Sequence, residues 1–212
     1  MKTNFFPIYN NSLLVYNEAK KNLQESNFLQ FISNANNVSS KIPEILFITS
    51  YPPRECGIAT YTQDLKNAIH EKFGTTFLLK IVALETTTSN YDYPEEVKYR
   101  LNTDIENDFI DLAKKINADK NISMIFLQHE FGLFGGNYGD FLLKFLKIVK
   151  IPITTTFHTV LPNPDKKLKK VVQKIAVYSD YLVVMTSISK IILMNDYGIK
   201  EQKIFVIAHG TH

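Results

Sequence analysis

The sequence predicts an α/β domain, a Rossmann-like doubly wound parallel sheet. Short apolar, β-branched runs recur from Glu44 onward, and runs of that length read as buried strands. The segments between them return their apolar residues at helical spacing, and such alternation indicates βαβ units. The loops after the runs gather Gly, Pro and His: of five histidines, His129, His158, His209 and His212 fall there, and only His70 lies in a helical stretch.

Residues 1–41 are rich in Asn and Ser, and 13–32 (LLVYNEAKKNLQESNFLQFI) carry a loose helical pattern. "SNANNVSSK" follows as a linker. The expected organisation is an N-terminal helical extension and linker over 1–41 and a Rossmann-like domain over 42–212. EILFIT (44–49) is the first strand. Ile58, Tyr61, Leu65, Ala68 and Ile69 then mark a helix, with Gly74 at its C-terminal cap. FLLKIVAL (77–84) is the second strand, and VKYRL (97–101) a short extra one after a polar stretch with Tyr91, Tyr93 and Pro94. Asp104 is expected to cap a helix carrying Ile105, Phe109, Leu112 and Ile116. ISMIFL (122–127) leads into a glycine-rich loop and a helix over 138–149. Beyond these, IPITTTF, YLVVMT and KIFVIA read as strands, and DKKLKKVVQKIAVY and SISKIILMNDY as helices. About six strands in this order fit a doubly wound sheet.

Composition narrows the function classes. With 45% hydrophobic and 21% charged residues in 212, the chain can bury a full core. A net charge of +3 and a pI near 8.7 are too weakly basic to argue for nucleic acid. Cys56 is the single cysteine, which excludes an internal disulfide framework. The start lacks a secretory pattern and no apolar run reaches membrane-spanning length, so a cytoplasmic protein is expected.

Ligands of such sheets bind beyond the carboxyl ends of the strands, which selects the loops that matter. In SYPPRECG, Pro52 and Pro53 stiffen the strand exit and Gly57 opens a helix, whose N-terminus attracts anions. Arg54 can pair with a phosphate or face solvent. The loop is neither a G-x-G-x-x-G fingerprint nor a Walker loop, and an ordinary strand-to-helix turn is the competing reading. A helix N-terminus would favour a Cys56 thiolate, but no partner set for a nucleophile accompanies it. In QHEFGLFGG, His129 and Glu130 suit acid–base work, metal binding or hydrogen bonding to sugar hydroxyls. A buried His–Glu contact supporting the loop would explain the pair equally well. Gly132, Gly135, Gly136 and Gly139 leave backbone open to a substrate, and the absence of H-E-x-x-H removes a zinc-protease reading. His158 stands at the mouth of a Thr- and Phe-rich strand. The helix from Asp165 has five lysines around an apolar face, a pattern of anionic-lipid docking or of an ordinary solvated outer helix.

In their joint order, "YPPRECGIATYTQDL", "QHEFGLFGG", "TFHT", "VVMTSISK" and "VIAHGTH" resemble the N-terminal half of the family 4 glycosyltransferases, retaining enzymes of the two-domain GT-B fold. The resemblance covers residues 44–212. It implies an acceptor-side domain whose partner, a C-terminal nucleotide-sugar domain, has no counterpart before His212. It implies that His158 is the active-site histidine touching the transferred sugar, and that His129 and Glu130, with Gly135 and Gly136, line the cleft. Ser187 would face the cleft, Gly57 and Arg54 would lie near the donor diphosphate, and His209 would stand where the chain leaves the domain. The implied partners are a nucleotide sugar as co-substrate and a glycan or lipid-linked acceptor, with neither metal nor cofactor, no nucleic acid, and peripheral contact with the inner membrane face. The intact protein would be a hexosyltransferase, as in polysaccharide biosynthesis, and the fragment alone inactive. A non-catalytic carbohydrate- or nucleotide-binding Rossmann module is the alternative.

Overall fold

The computed structural model describes residues 42–209. Its strands are β1 (Glu44–Thr49), β2 (Leu78–Glu85), β3 (Val97–Asn102), β4 (Ile122–His129), β5 (Ile153–Phe157), β6 (Tyr181–Val184) and β7 (Ile204–Val206). They form one sheet in the order β3-β2-β1-β4-β5-β6-β7, and every neighbouring pair is parallel. The helices are α1 (Gly57–Phe73), α2 (Glu106–Ala118), α3 (Leu142–Ile148), α4 (Lys166–Tyr178) and α5 (Ser187–Asn195).

Burial explains why the central strands are mostly apolar. All six residues of β1 are buried, and alternate side chains enter different cores because strand side chains alternate faces. Leu46 and Ile48 join Phe109 and Leu112 of α2, Phe145 of α3, Val172 of α4 and Leu193 of α5. Ile45 and Phe47 pack instead with Leu65 and Ile69 of α1. The predicted doubly wound architecture is therefore present, with α1 on one face and α2 to α5 on the other.

VKYRL, expected as a short extra strand, is the edge strand β3, paired with β2. The structure departs from the sequence-based elements elsewhere. Asp104 does not cap α2: the N-cap is Ile105, without a side-chain bond, and Asp104 Oδ2 instead accepts from Thr87 N at 2.8 Å. The helix expected over 138–149 begins only at Leu142. Tyr138 and Gly139 take φ of 57° and 77°, outside the helical region, and Asp140 Oδ1 accepts from Asn137 N at 2.9 Å to close that turn. The helix expected over 13–32 and His212 lie outside the described residues. The sheet's order reverses between β1 and β4, so the crevice beyond their carboxyl ends is where a ligand of such a sheet binds.

Candidate functional site

Four loops meet at that crevice. The first leaves β1 and is fixed by short polar contacts. Thr49 Oγ1 and Thr62 Oγ1, 2.8 Å apart, tie the strand to α1, and Ser50 Oγ lies 3.1 Å from Cys56 Sγ. Cys56 is the N-cap of α1 in extended backbone, yet no side chain caps the helix and its first turn holds no acidic residue. The positive end of the helix therefore keeps its affinity for an anion. A Cβ added at Gly57 would meet nothing within 4 Å, so backbone is approachable there. Arg54 turns towards β2, its Nη1 3.4 Å from Leu84 O.

β4 runs two residues past its expected end because Gln128 and His129 pair with Thr156 and Phe157 of β5. Strand alternation then sends the two side chains to opposite faces. His129 is fully buried, with its ring against Phe131, Phe134 and Phe157 at centroid distances of 5.1, 5.7 and 4.9 Å. Neither ring nitrogen has a hydrogen-bond partner among the described residues. This apolar enclosure, with His158 nearby, pushes its pKa down to about 3. His129 is thus an internal residue beneath the loop. Glu130 holds the loop's shape: Oε1 accepts from Phe131 N at 2.9 Å and Oε2 from Thr159 Oγ1 at 2.5 Å.

His158, just past β5, is held from three directions. Its backbone N donates to His129 O at 3.0 Å, Nε2 lies 2.9 Å from Gln128 Oε1, and its ring meets Tyr61 of α1 edge-to-face at 5.0 Å. Burial lowers its pKa to about 4; Glu130 opposes that shift and His209 adds to it. At neutral pH His158 is an uncharged imidazole, able to donate one hydrogen bond and accept another. His209, beyond β7, completes the group with its ring 5.4 Å from Tyr61.

The remaining expected residues take other places. At Gly135 and Gly136, with φ of 64° and 67°, an added Cβ would collide with Thr103 O and Asp140 Oδ1 respectively, and with the Phe141 ring in both cases. Those glycines admit the loop's own neighbours. Ser187 is exposed as the first residue of α5, behind an N-cap made by Thr186, whose Oγ1 accepts from Ser189 N at 3.0 Å. The structure therefore gathers His158, His209, Glu130 and the start of α1, together with Tyr61 and Gln128, which sequence reasoning passed over. For the latter no local signal was available, because the expected strand ended at Leu127 and Gln128 fell in the loop after it. Among the described residues, no group of three or more His, Cys, Asp or Glu is placed to hold a metal ion, and no helix is long and apolar enough to cross a membrane.

No family model and no curated protein matches this chain. Solved structures do. A glycosyltransferase from Rickettsia africae ESF-5 superposes with a TM-score of 0.53 at 18% identity, over 82% of this chain and 44% of that one. The fold is shared with a glycosyltransferase. A UDP-GlcNAc 2-epimerase from Methanocaldococcus jannaschii superposes with a TM-score of 0.50, also at 18% identity, over 77% of this chain and 45% of that one. The chain thus spans less than half the length of these two neighbours.

Proposed function

We propose that this chain is the acceptor-side domain of a retaining GT-B glycosyltransferase, moving a sugar from a nucleotide-activated donor to a glycan, lipid or other acceptor hydroxyl. The observation that carries the reading is the convergence of His158, Tyr61 and His209, from three separate elements, beside an uncapped helix N-terminus. The shared fold with a glycosyltransferase twice as long supports it, since a second domain would complete the cleft.

In this proposal each part has a physical task. Transfer from a nucleotide sugar builds charge on the departing diphosphate and an oxocarbenium-like sugar, and preorganised donors stabilise both. The start of α1, open at Gly57, would face the diphosphate. His158 would touch the transferred sugar, and Glu130, through Thr159 and Phe131 N, would hold the loop that lines the acceptor's side. A neutral imidazole suits hydroxyl recognition better than phosphate binding, which asks for a cation.

A titration separates this reading from a self-sufficient binding module. Calorimetry with a panel of uridine and guanosine diphosphate sugars is run on the 212-residue chain and on the whole protein. The proposal expects binding by the whole protein only. Comparable binding by both would assign the nucleotide site to this domain and favour the module.

A further inference from the structure

Gln128 joins the site only through its contact with His158, and its surroundings make it an unusual residue to bury. It is fully buried in β4, whose inner neighbours are Ile125, Phe126 and Leu127. Its Oε1 lies 2.9 Å from His158 Nε2, while its own amide Nε2 has no acceptor among the described residues. A buried amide with one half unsatisfied weakens a fold relative to an apolar side chain of similar shape. Stability alone thus gives no reason for glutamine here, and the contact with His158 does.

We infer that Gln128 is the positioning residue of His158: its carbonyl fixes the imidazole as the Nε2–H tautomer and leaves Nδ1 as the acceptor that the ring presents to a ligand. In a neutral imidazole one nitrogen is a donor and the other an acceptor, and the hydrogen bond made by one decides the role of the other. A carbonyl against Nε2 places the proton there. The remaining neighbours leave that assignment to Gln128. Glu130 is engaged by Phe131 N and Thr159 Oγ1, and His129 lies among phenylalanines on the opposite face. Tyr61 offers its ring to His158 edge-to-face, and His209 meets Tyr61 and bears on His158 through charge. The inference rests on the reading that His158 meets substrate, but the tautomer itself is decided without any substrate.

The test is a long-range proton–nitrogen NMR correlation on the full 212-residue chain with nitrogen-15 histidine, at pH 7.5. The expected spectrum shows His158 protonated at Nε2 and bare at Nδ1. Gln128→Leu is expected to abolish that preference, giving mixed tautomers, while the remaining histidine signals and the thermal midpoint hold or the midpoint rises. Gln128→Glu, which sets a carboxylate against Nε2, is expected to raise the His158 titration midpoint by about two pH units. An Nδ1–H tautomer in the parent, or one unchanged in Gln128→Leu, overturns the inference. Should the tautomer respond as expected while sugar transfer by the Gln128→Leu whole protein stays at parental level, Gln128 still positions His158. It is then the placement of His158 in the active site that fails.

Discussion

His129 and His158 stand one strand apart and titrate far from free histidine for the same reason, burial. Their consequences for stability have a definite sign. An unfolded histidine takes up its proton near pH 6.5, whereas the folded chain admits one only near pH 3 at His129 and near pH 4 at His158. Between those limits the unfolded state binds more protons, so stability is complete above about pH 6.5 and declines as pH falls. For the fully buried His129 the slope approaches about 1.4 kcal/mol per pH unit. Urea denaturation at pH 7.5 and pH 5 is expected to show a lower midpoint at pH 5, and His129→Leu to remove a large share of that difference. An unchanged pH dependence in His129→Leu would contradict the enclosure of His129. At this scale the sequence was legible where position along a strand was enough: His158 and His209 stand at strand ends, and both reach the cluster. Tyr61 was legible only as one member of an apolar helical stripe, because periodicity tells which side of a helix is inward and not which ring it meets. Gln128 needed the register of β4 with β5, which no local pattern contains.

Among the elements, the loops after β1 and β4 use glycine for opposite purposes. Gly57 has open space where a side chain would stand, while the Cβ positions of Gly135 and Gly136 are filled by Thr103 O, Asp140 and Phe141. Gly57→Ala is accordingly expected to leave the urea midpoint within experimental error and, in the whole protein, to raise the KM for the nucleotide sugar. Gly135→Ala or Gly136→Ala is expected to cost about 1–2 kcal/mol from the left-handed backbone alone, with the collisions adding to it. A Gly57→Ala protein that loses stability but keeps its KM would reverse the roles assigned to these loops. The glycines themselves were plain in the sequence. Their division into open and filled positions was not, because it depends on the Phe141 ring lying against Gly135 and Gly136. The turn at Tyr138–Gly139 shortens α3, and the Thr87 contact of Asp104 explains the lost cap of α2: a local signal yields when a nearby loop offers a better partner.

For the whole molecule, alternation of strand and helix was enough to establish the class of fold, because a parallel sheet covered on both faces requires apolar strands joined by crossover helices. Strand order was not legible, since β1, β2, β4 and β6 are each apolar enough to be central. The reversal between β1 and β4 appears only in the structure, and it selects the crevice where His158, Glu130 and α1 meet. Similarity at 18% identity to a glycosyltransferase shows the shared fold. The measurement that bears most directly on the proposed function is sugar transfer by the whole protein with His158→Ala beside the parent, with thermal midpoints recorded for both. The account predicts a fall in kcat/KM on the order of 100-fold at a closely similar midpoint. Undiminished transfer in the folded variant would contradict it.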